Sequence, residues 1–139
     1  MNVDLGGMTA ALPDGRMAHQ PLANGNNPVA GRDHHGITAL LKSLLKLSPI
    51  LHAGAVQNMK FNRATITRGR VQWENLLSAY WMNGGAQAMI TVVDRGDLEA
   101  AMREPEKWGH LMVRVGGFSE RFINLSPALQ RHILERTLY

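Results

Sequence analysis

Two adjacent glycines end the most strand-like run in this chain, and they dictate how the backbone must turn there. Leu111-Met112-Val113-Arg114-Val115 reads as a strand, and Gly116-Gly117 follows directly, with Phe118 and Ser119 behind. Glycine reaches positive φ without the clash a Cβ brings, so the pair permits a bend closed to other residues. The strand therefore runs into a sharp loop held beside packed apolar side chains. Taken alone, the pair reads as a turn between a strand and the segment after it.

The elements around this loop follow from apolar spacing and from Gly and Pro punctuation. Ile37, Leu40, Leu41, Leu44, Leu45 and Leu47 recur at helical intervals and Pro49 stops them, which predicts a helix over 37–47. Residues 55–61 are short and mixed and read as a strand. A second helix is predicted over 70–82, burying Val71, Leu76, Leu77 and Tyr80 and stopping at Asn83-Gly84-Gly85. The β-branched run Ala86 to Val93 predicts a strand. Asp94 with Asp97 resembles a capping box for a helix that reaches Arg103 and is closed by Pro105. Ser126-Pro127 is a suitable N-cap and first turn for a last helix whose apolar face holds Leu129, Ile133 and Leu134. These elements predict an α+β fold.

Residues 1–36 differ in character. Gly6, Gly7, Gly15, Gly25, Gly31 and Gly36 alternate with Pro13, Pro21 and Pro28, and no apolar period emerges. Such a stretch builds no core of its own and is expected to lie against a partner or another portion of a larger protein. The organisation predicted is a loop-rich segment over 1–36 and a folded domain over 37–139.

Several function classes are excluded or disfavoured by composition. The chain has no cysteine, so it forms no disulfide, thiolate zinc site or iron-sulfur ligation of its own. No run of eighteen apolar residues and no charged-then-apolar leader is present, so a membrane span or secretion is not indicated and a cytoplasmic location is expected. The net charge of +4 raises nucleic-acid binding. Yet Lys42, Lys46, Arg63, Arg68, Arg70, Arg103, Arg114, Arg131 and Arg136 are scattered along the chain rather than gathered in a stripe, so solvated surface is the expectation and no nucleic acid or membrane partner is foreseen. Asp33-His34-His35 reads as a polar loop, because adjacent side chains point apart and no third ligand sits at a helical offset. His132, between charged neighbours, is expected to face solvent or an interface, and Trp73, Trp81 and Trp108 to anchor core or interface.

The glycine loop and its surroundings resemble the C-terminal domain of the glycyl radical enzymes, the pyruvate formate-lyase-like superfamily. Gln87 to Asp94, Asp97 to Met102, Glu104-Pro105-Glu106-Lys107-Trp108, Leu111 to Ser119, Phe122, Leu125 and Gln130 to Thr137 are similar to that domain in order and spacing. Upstream, Pro13-Asp14-Gly15-Arg16, Pro21 to Gly25, Pro28-Val29, Gly31-Arg32-Asp33, Gly36 to Leu40 and Asn58-Met59-Lys60-Phe61 look closest to the dehydratase, decarboxylase and fumarate-adding branches. The sequence departs from the pattern at Gly116, where Ser or Ala is commoner, and at Phe118, where Tyr is commoner.

The resemblance implies a fold, a site and partners. The chain would form the last portion of a ten-stranded α/β barrel enzyme, with a radical loop over 113–119 and Gly117 as the radical-bearing residue. An α-carbon radical is stabilised when the carbon flattens and shares its electron with the flanking amide nitrogen and carbonyl, and a side chain would crowd that flattening. Arg114, Val115, Gly116, Phe118 and Ser119 would complete the loop, with Phe118 and Ser119 as anchors. Arg114 would bond a carboxylate, as a structural salt bridge or to fix the loop, or would orient the loop in an activating enzyme. That activating enzyme would be of the radical S-adenosylmethionine class, with an iron-sulfur cluster, and no cofactor would be bound by this chain. To reach it the loop would swing out of the barrel. The spin would then pass to a cysteine on a companion portion that carries out C–C, C–O or C–N chemistry, since this chain has none. Two further readings stay open: an autonomous spare part for an oxygen-damaged enzyme, and a non-catalytic remnant. Substrate identity is not encoded in these residues.

Overall fold

In the computed structural model the described residues are 2–29, 31–48, 56–136 and 138–139. The expected α+β architecture is present as a parallel strand pair, an antiparallel hairpin and the helices packed around them.

Strand β1 (Val56–Phe61) pairs in parallel with β2 (Gln87–Val92), from Val56 opposite Gln87 to Phe61 opposite Val92. Parallel neighbours need a crossover, and α3 (Arg63–Arg68) followed by α4 (Arg70–Met82) supplies it. Residues 57–61 are all buried, as expected of a strand covered on both faces. Met59 and Phe61 point into a core with Leu41 and Tyr80, and Trp73 meets Phe61 edge-on at 6.3 Å between ring centres. On α4 the inward positions are Trp73, Leu76, Leu77 and Tyr80. Val71, expected to be buried, is 64% exposed because it precedes Trp73 by two residues and so lies on the opposite side of the helix.

The outer edge of β1 is closed without a neighbouring strand. Asn26 donates its backbone N–H to Val56 O at 2.9 Å. The Asn27 side chain then acts as a peptide mimic, accepting from Asn58 N at 2.9 Å and donating to Asn58 O at 2.7 Å. Beyond it Tyr139 donates to Lys60 O and accepts from Asn62 N, both at 2.9 Å. Edge groups that could otherwise pair with another chain are thereby satisfied.

The second core joins α5 (Arg95–Arg103), the hairpin and α6 (Pro127–Glu135) through Val93, Leu98, Ala101, Leu111, Val113, Phe122 and Ile133. Ser126 caps α6, its hydroxyl accepting from Leu129 N at 3.4 Å, and Pro127 opens the first turn as expected. The expected cap on α5 is not made. Asp94 turns its carboxylate away, accepting from Arg63 N at 3.2 Å, and so serves the first turn of α3 instead.

The helix expected over 37–47 is α2 (Gly36–Leu44); after Leu45 the i→i−4 bonds give way to the tighter Lys46-to-Ser43 and Leu47-to-Leu44 bonds. The strand expected over 55–61 is β1, with residue 55 outside the described set, as is Pro49. Two helices carry no clear sequence signal: α1 (Asn2–Gly7) and α3, the latter capped by Asn62 accepting from Thr65 N at 2.6 Å. After α1, residues 9–20 wrap the buried Arg16, which donates to Gln20 O at 2.6 Å, to Thr9 O at 3.3 Å and to Ala10 O.

Candidate functional site

The double glycine forms the tip of a two-residue hairpin. Strand β3 (Met112–Val115) pairs antiparallel with β4 (Phe118–Arg121), Val115 facing Phe118 and Arg114 facing Ser119. Gly116 has φ +46° and Gly117 φ +110°. Positive φ at both central residues is the signature of the primed turns whose twist matches paired strands. The return strand β4 extends the expectation, which placed only one strand beside the loop.

Alternation along the hairpin separates an anchored face from an open one. Val113 is buried in the second core and Val115 packs against it. Arg114 and Ser119 lie together on the other face, Nη1 of Arg114 standing 3.3 Å from Ser119 Oγ. The expected carboxylate partner of Arg114 is therefore replaced, among the described residues, by a hydroxyl one strand away. Phe118 shares the face of Val115 but lies at the hairpin tip, 55% exposed and not among the side chains packed on the second core.

At the tip, Gly116 and Gly117 are exposed, and a Cβ built on either would meet no atom within 4 Å. Among the described residues, then, the side of Gly117 on which a side chain would stand is open. The hairpin base is fixed to the parallel pair by Arg114 N donating to Thr91 Oγ1 at 3.3 Å. Glu120, beside the turn, accepts from Arg121 N at 2.8 Å and Asn124 Nδ2 at 3.0 Å, and those bonds hold its carboxyl below the usual carboxylate range.

Known proteins share this sequence and this fold. The glycine radical family matches residues 22–123, a stretch that contains β1, β2, α5 and the whole hairpin. The chain belongs to the glycine radical family. It is 36% identical over 98% of its length to the probable dehydratase YbiW of Escherichia coli K12, and 33% identical over 98% to trans-4-hydroxy-L-proline dehydratase of Clostridioides difficile. Identity to the 4-hydroxyphenylacetate decarboxylase glycyl radical subunit of Clostridium scatologenes is 32% over 96% of this chain. The glycerol-bound B12-independent glycerol dehydratase of Clostridium butyricum superposes with a TM-score of 0.94 at 37% identity over 99% of the chain. This glycine radical chain spans only 17% of the first relative and 18% of the solved dehydratase. The relatives are lyase-type glycyl radical enzymes, dehydratases and decarboxylases among them.

The remaining candidates fall elsewhere. His34 and His35 are exposed, while Asp33 accepts a hydrogen bond from the Tyr139 hydroxyl. Among the described residues no three His, Cys, Asp or Glu side chains converge as metal ligands, and no helix is long and apolar enough to cross a membrane. The tryptophans do not gather: Trp73 packs on Phe61, Trp108 borders the second core, and Trp81 is 45% exposed against Tyr80. His132 corrects its expectation, since it is buried, with Nε2 3.1 Å from Asn2 Nδ2. Arg136 is likewise not a surface cation; burial lowers its guanidinium to about 10. With Lys60 it borders a cavity that no sequence feature signalled.

Proposed function

We propose that this chain is the radical-storing portion of a glycyl radical enzyme, with the α-carbon of Gly117 as the store. What supports the reading is the second turn position of an exposed hairpin, φ +110°, in a chain of the glycine radical family. In the proposed sequence, an activating enzyme reduces S-adenosylmethionine with one electron from its iron-sulfur cluster. Methionine leaves, and the deoxyadenosyl radical takes one hydrogen atom from Gly117, giving deoxyadenosine and a glycyl radical. That radical later takes hydrogen from a cysteine thiol on a companion portion, so Gly117 is restored and the resulting thiyl attacks substrate. No thiol of this chain can do so, because it has no cysteine.

The open hairpin suits the first step and needs help in the second. A bulky nucleoside can approach an α-carbon with no neighbour around it, but a stored radical must be shielded from water and oxygen. Met112, 49% exposed, and Phe118, 55% exposed, leave apolar surface on the hairpin for a companion portion to cover. The reaction supported is of the lyase type, in an oxygen-poor cytoplasm, with the substrate chosen by the companion.

Anaerobic activation followed by electron paramagnetic resonance tests the proposal. A doublet that collapses to a singlet when the glycines carry α-deuterium is expected from wild type and from Gly116→Ala, and none from Gly117→Ala. Exposure to air should then cut the activated chain beside Gly117, releasing residues 118–139. A doublet retained in Gly117→Ala would remove the assignment. No signal from wild type, alone or with its companion, would leave a non-catalytic remnant.

A further inference from the structure

Between the outer edge of β1 and α6 lies a cavity of about 40 Å³ that the radical chemistry does not use. Its polar lining includes Asn24, Asp33, Asn58, Lys60, His132 and Arg136. Lys60 Nζ donates to Ile133 O at 3.0 Å and Leu134 O at 3.2 Å, closing the C-terminal end of α6. Burial, then repulsion from Arg136 and Arg95, lowers its ammonium to about 8. Among the lining side chains Lys60 and Arg136 are cationic and Asp33 is acidic.

Hydrogen bonding gives the cavity a bias. Asn24 Nδ2, His132 Nδ1 and Arg136 Nε are buried nitrogens without a partner, each on a residue that lines the cavity. All three are donors. For His132 this follows from Asn2: its Nδ2, 3.1 Å from Nε2, can only donate, so Nε2 accepts and the ring proton sits on Nδ1. A water molecule would satisfy such donors but bring protons that need acceptors of their own. An anion only accepts.

We propose that this cavity binds one small monovalent anion, of formate or chloride size, which takes the unpartnered N–H groups of Asn24, His132 and Arg136 and the charge of Lys60 and Arg136. The space exceeds the 10–15 Å³ or so that one water requires. An anion there would join the segment carrying Asn24 to β1 and to the end of α6, three parts of the chain distant in sequence.

Replacing gluconate, too large for the cavity, by formate at constant ionic strength tests this on the whole chain. Thermal midpoint and the His132 imidazole resonances should both shift saturably, with one common formate midpoint. Arg136→Gln should weaken that midpoint by at least about tenfold, as loss of a charge-assisted bond implies, while Arg103→Gln on the exposed end of α5 leaves it unchanged. If Arg136→Gln does not fold, Asn24→Ala takes its place and should weaken formate several-fold. Equal effects of gluconate and formate, an unsaturable response, or an unchanged midpoint in the folded variant would each overturn the site and leave the void to water.

Discussion

The backbone N–H of Arg114 donates to the hydroxyl of Thr91 at 3.3 Å, which fastens the base of the glycine hairpin to β2. Thr91 is itself buried and sits opposite Lys60 in the parallel pair. The hairpin thus hangs on its buried Val113, its packed Val115 and this bond, while a Cβ added at either tip glycine would meet nothing within 4 Å. Thr91→Val keeps the shape and removes the acceptor, so a loss of about 1 kcal/mol is expected. Hydrogen exchange read residue by residue should show Arg114 losing protection while Val93, whose N–H donates to Phe61 O at 3.0 Å, keeps its own. Uniform loss across both strand pairs would mean Thr91 supports the fold at large rather than the hairpin.

The two glycines should not respond alike to a methyl group. Neither position has a neighbour for an added Cβ, so the cost is torsional. Gly116, at φ +46°, lies near the left-handed region that L residues enter for about 1–2 kcal/mol. Gly117, at φ +110°, lies well outside it, so Gly117→Ala should destabilise more than Gly116→Ala in urea unfolding. D-alanine placed at 117 by semisynthesis should recover the stability, since its preferred φ is positive. Equal losses for the two L-alanine variants would contradict the turn geometry.

Asn27→Ala removes both bonds that its amide makes to Asn58, leaving a buried strand N–H and C=O without those partners. A cost of about 2–4 kcal/mol is expected, from about 1–3 kcal/mol for each group left unsatisfied less partial rewetting. Limited proteolysis should then cut within residues 22–29 before it touches β1. Asp replacing Asn27 is the sharper control, because a carboxylate still accepts from Asn58 N but no longer donates to Asn58 O. Its loss should be at least as large as that of Asn27→Ala, since an acceptor then faces the Asn58 carbonyl where a donor stood.

What the sequence made legible were features with local causes. Helix α4 and strand β2 lie where apolar spacing and the Asn83-Gly84-Gly85 stop put them, and α6 starts at its Ser126-Pro127 signal. The glycine pair lies at the tip of the chain's hairpin. Features set by tertiary packing were hidden. Phe118-Ser119-Glu120-Arg121 is mostly polar and becomes a strand only by pairing back on β3. Helix α1 holds two glycines and is short, and its docking against α6, seen in the Asn2 to His132 contact, rather than propensity sustains it. Arg16, Lys60 and Arg136 look like surface cations, and only the folded chain shows which carbonyls and cavities they serve.

Acid should expose the burial of His132. Burial, reinforced by repulsion from Arg136, lowers its imidazole to about 4 from an ordinary 6.5. Between those values the unfolded chain holds a proton that the folded chain refuses, so unfolding is favoured as pH falls. The stability contributed by the neutral ring is complete above pH 6.5 and drains away as pH drops toward 4. From pH 7 to pH 5 the loss is about 2 kcal/mol. His132→Gln keeps an acceptor for Asn2 and has no proton to gain, so its stability should fall by that much less over the same interval. Carboxylates titrate in both proteins and cancel in the difference, which makes paired urea titrations at the two pH values the measurement. An NMR midpoint for His132 near 6.5, or parallel stability curves for the two proteins, would show the ring to be hydrated and the packing of α1 on α6 to be looser than described.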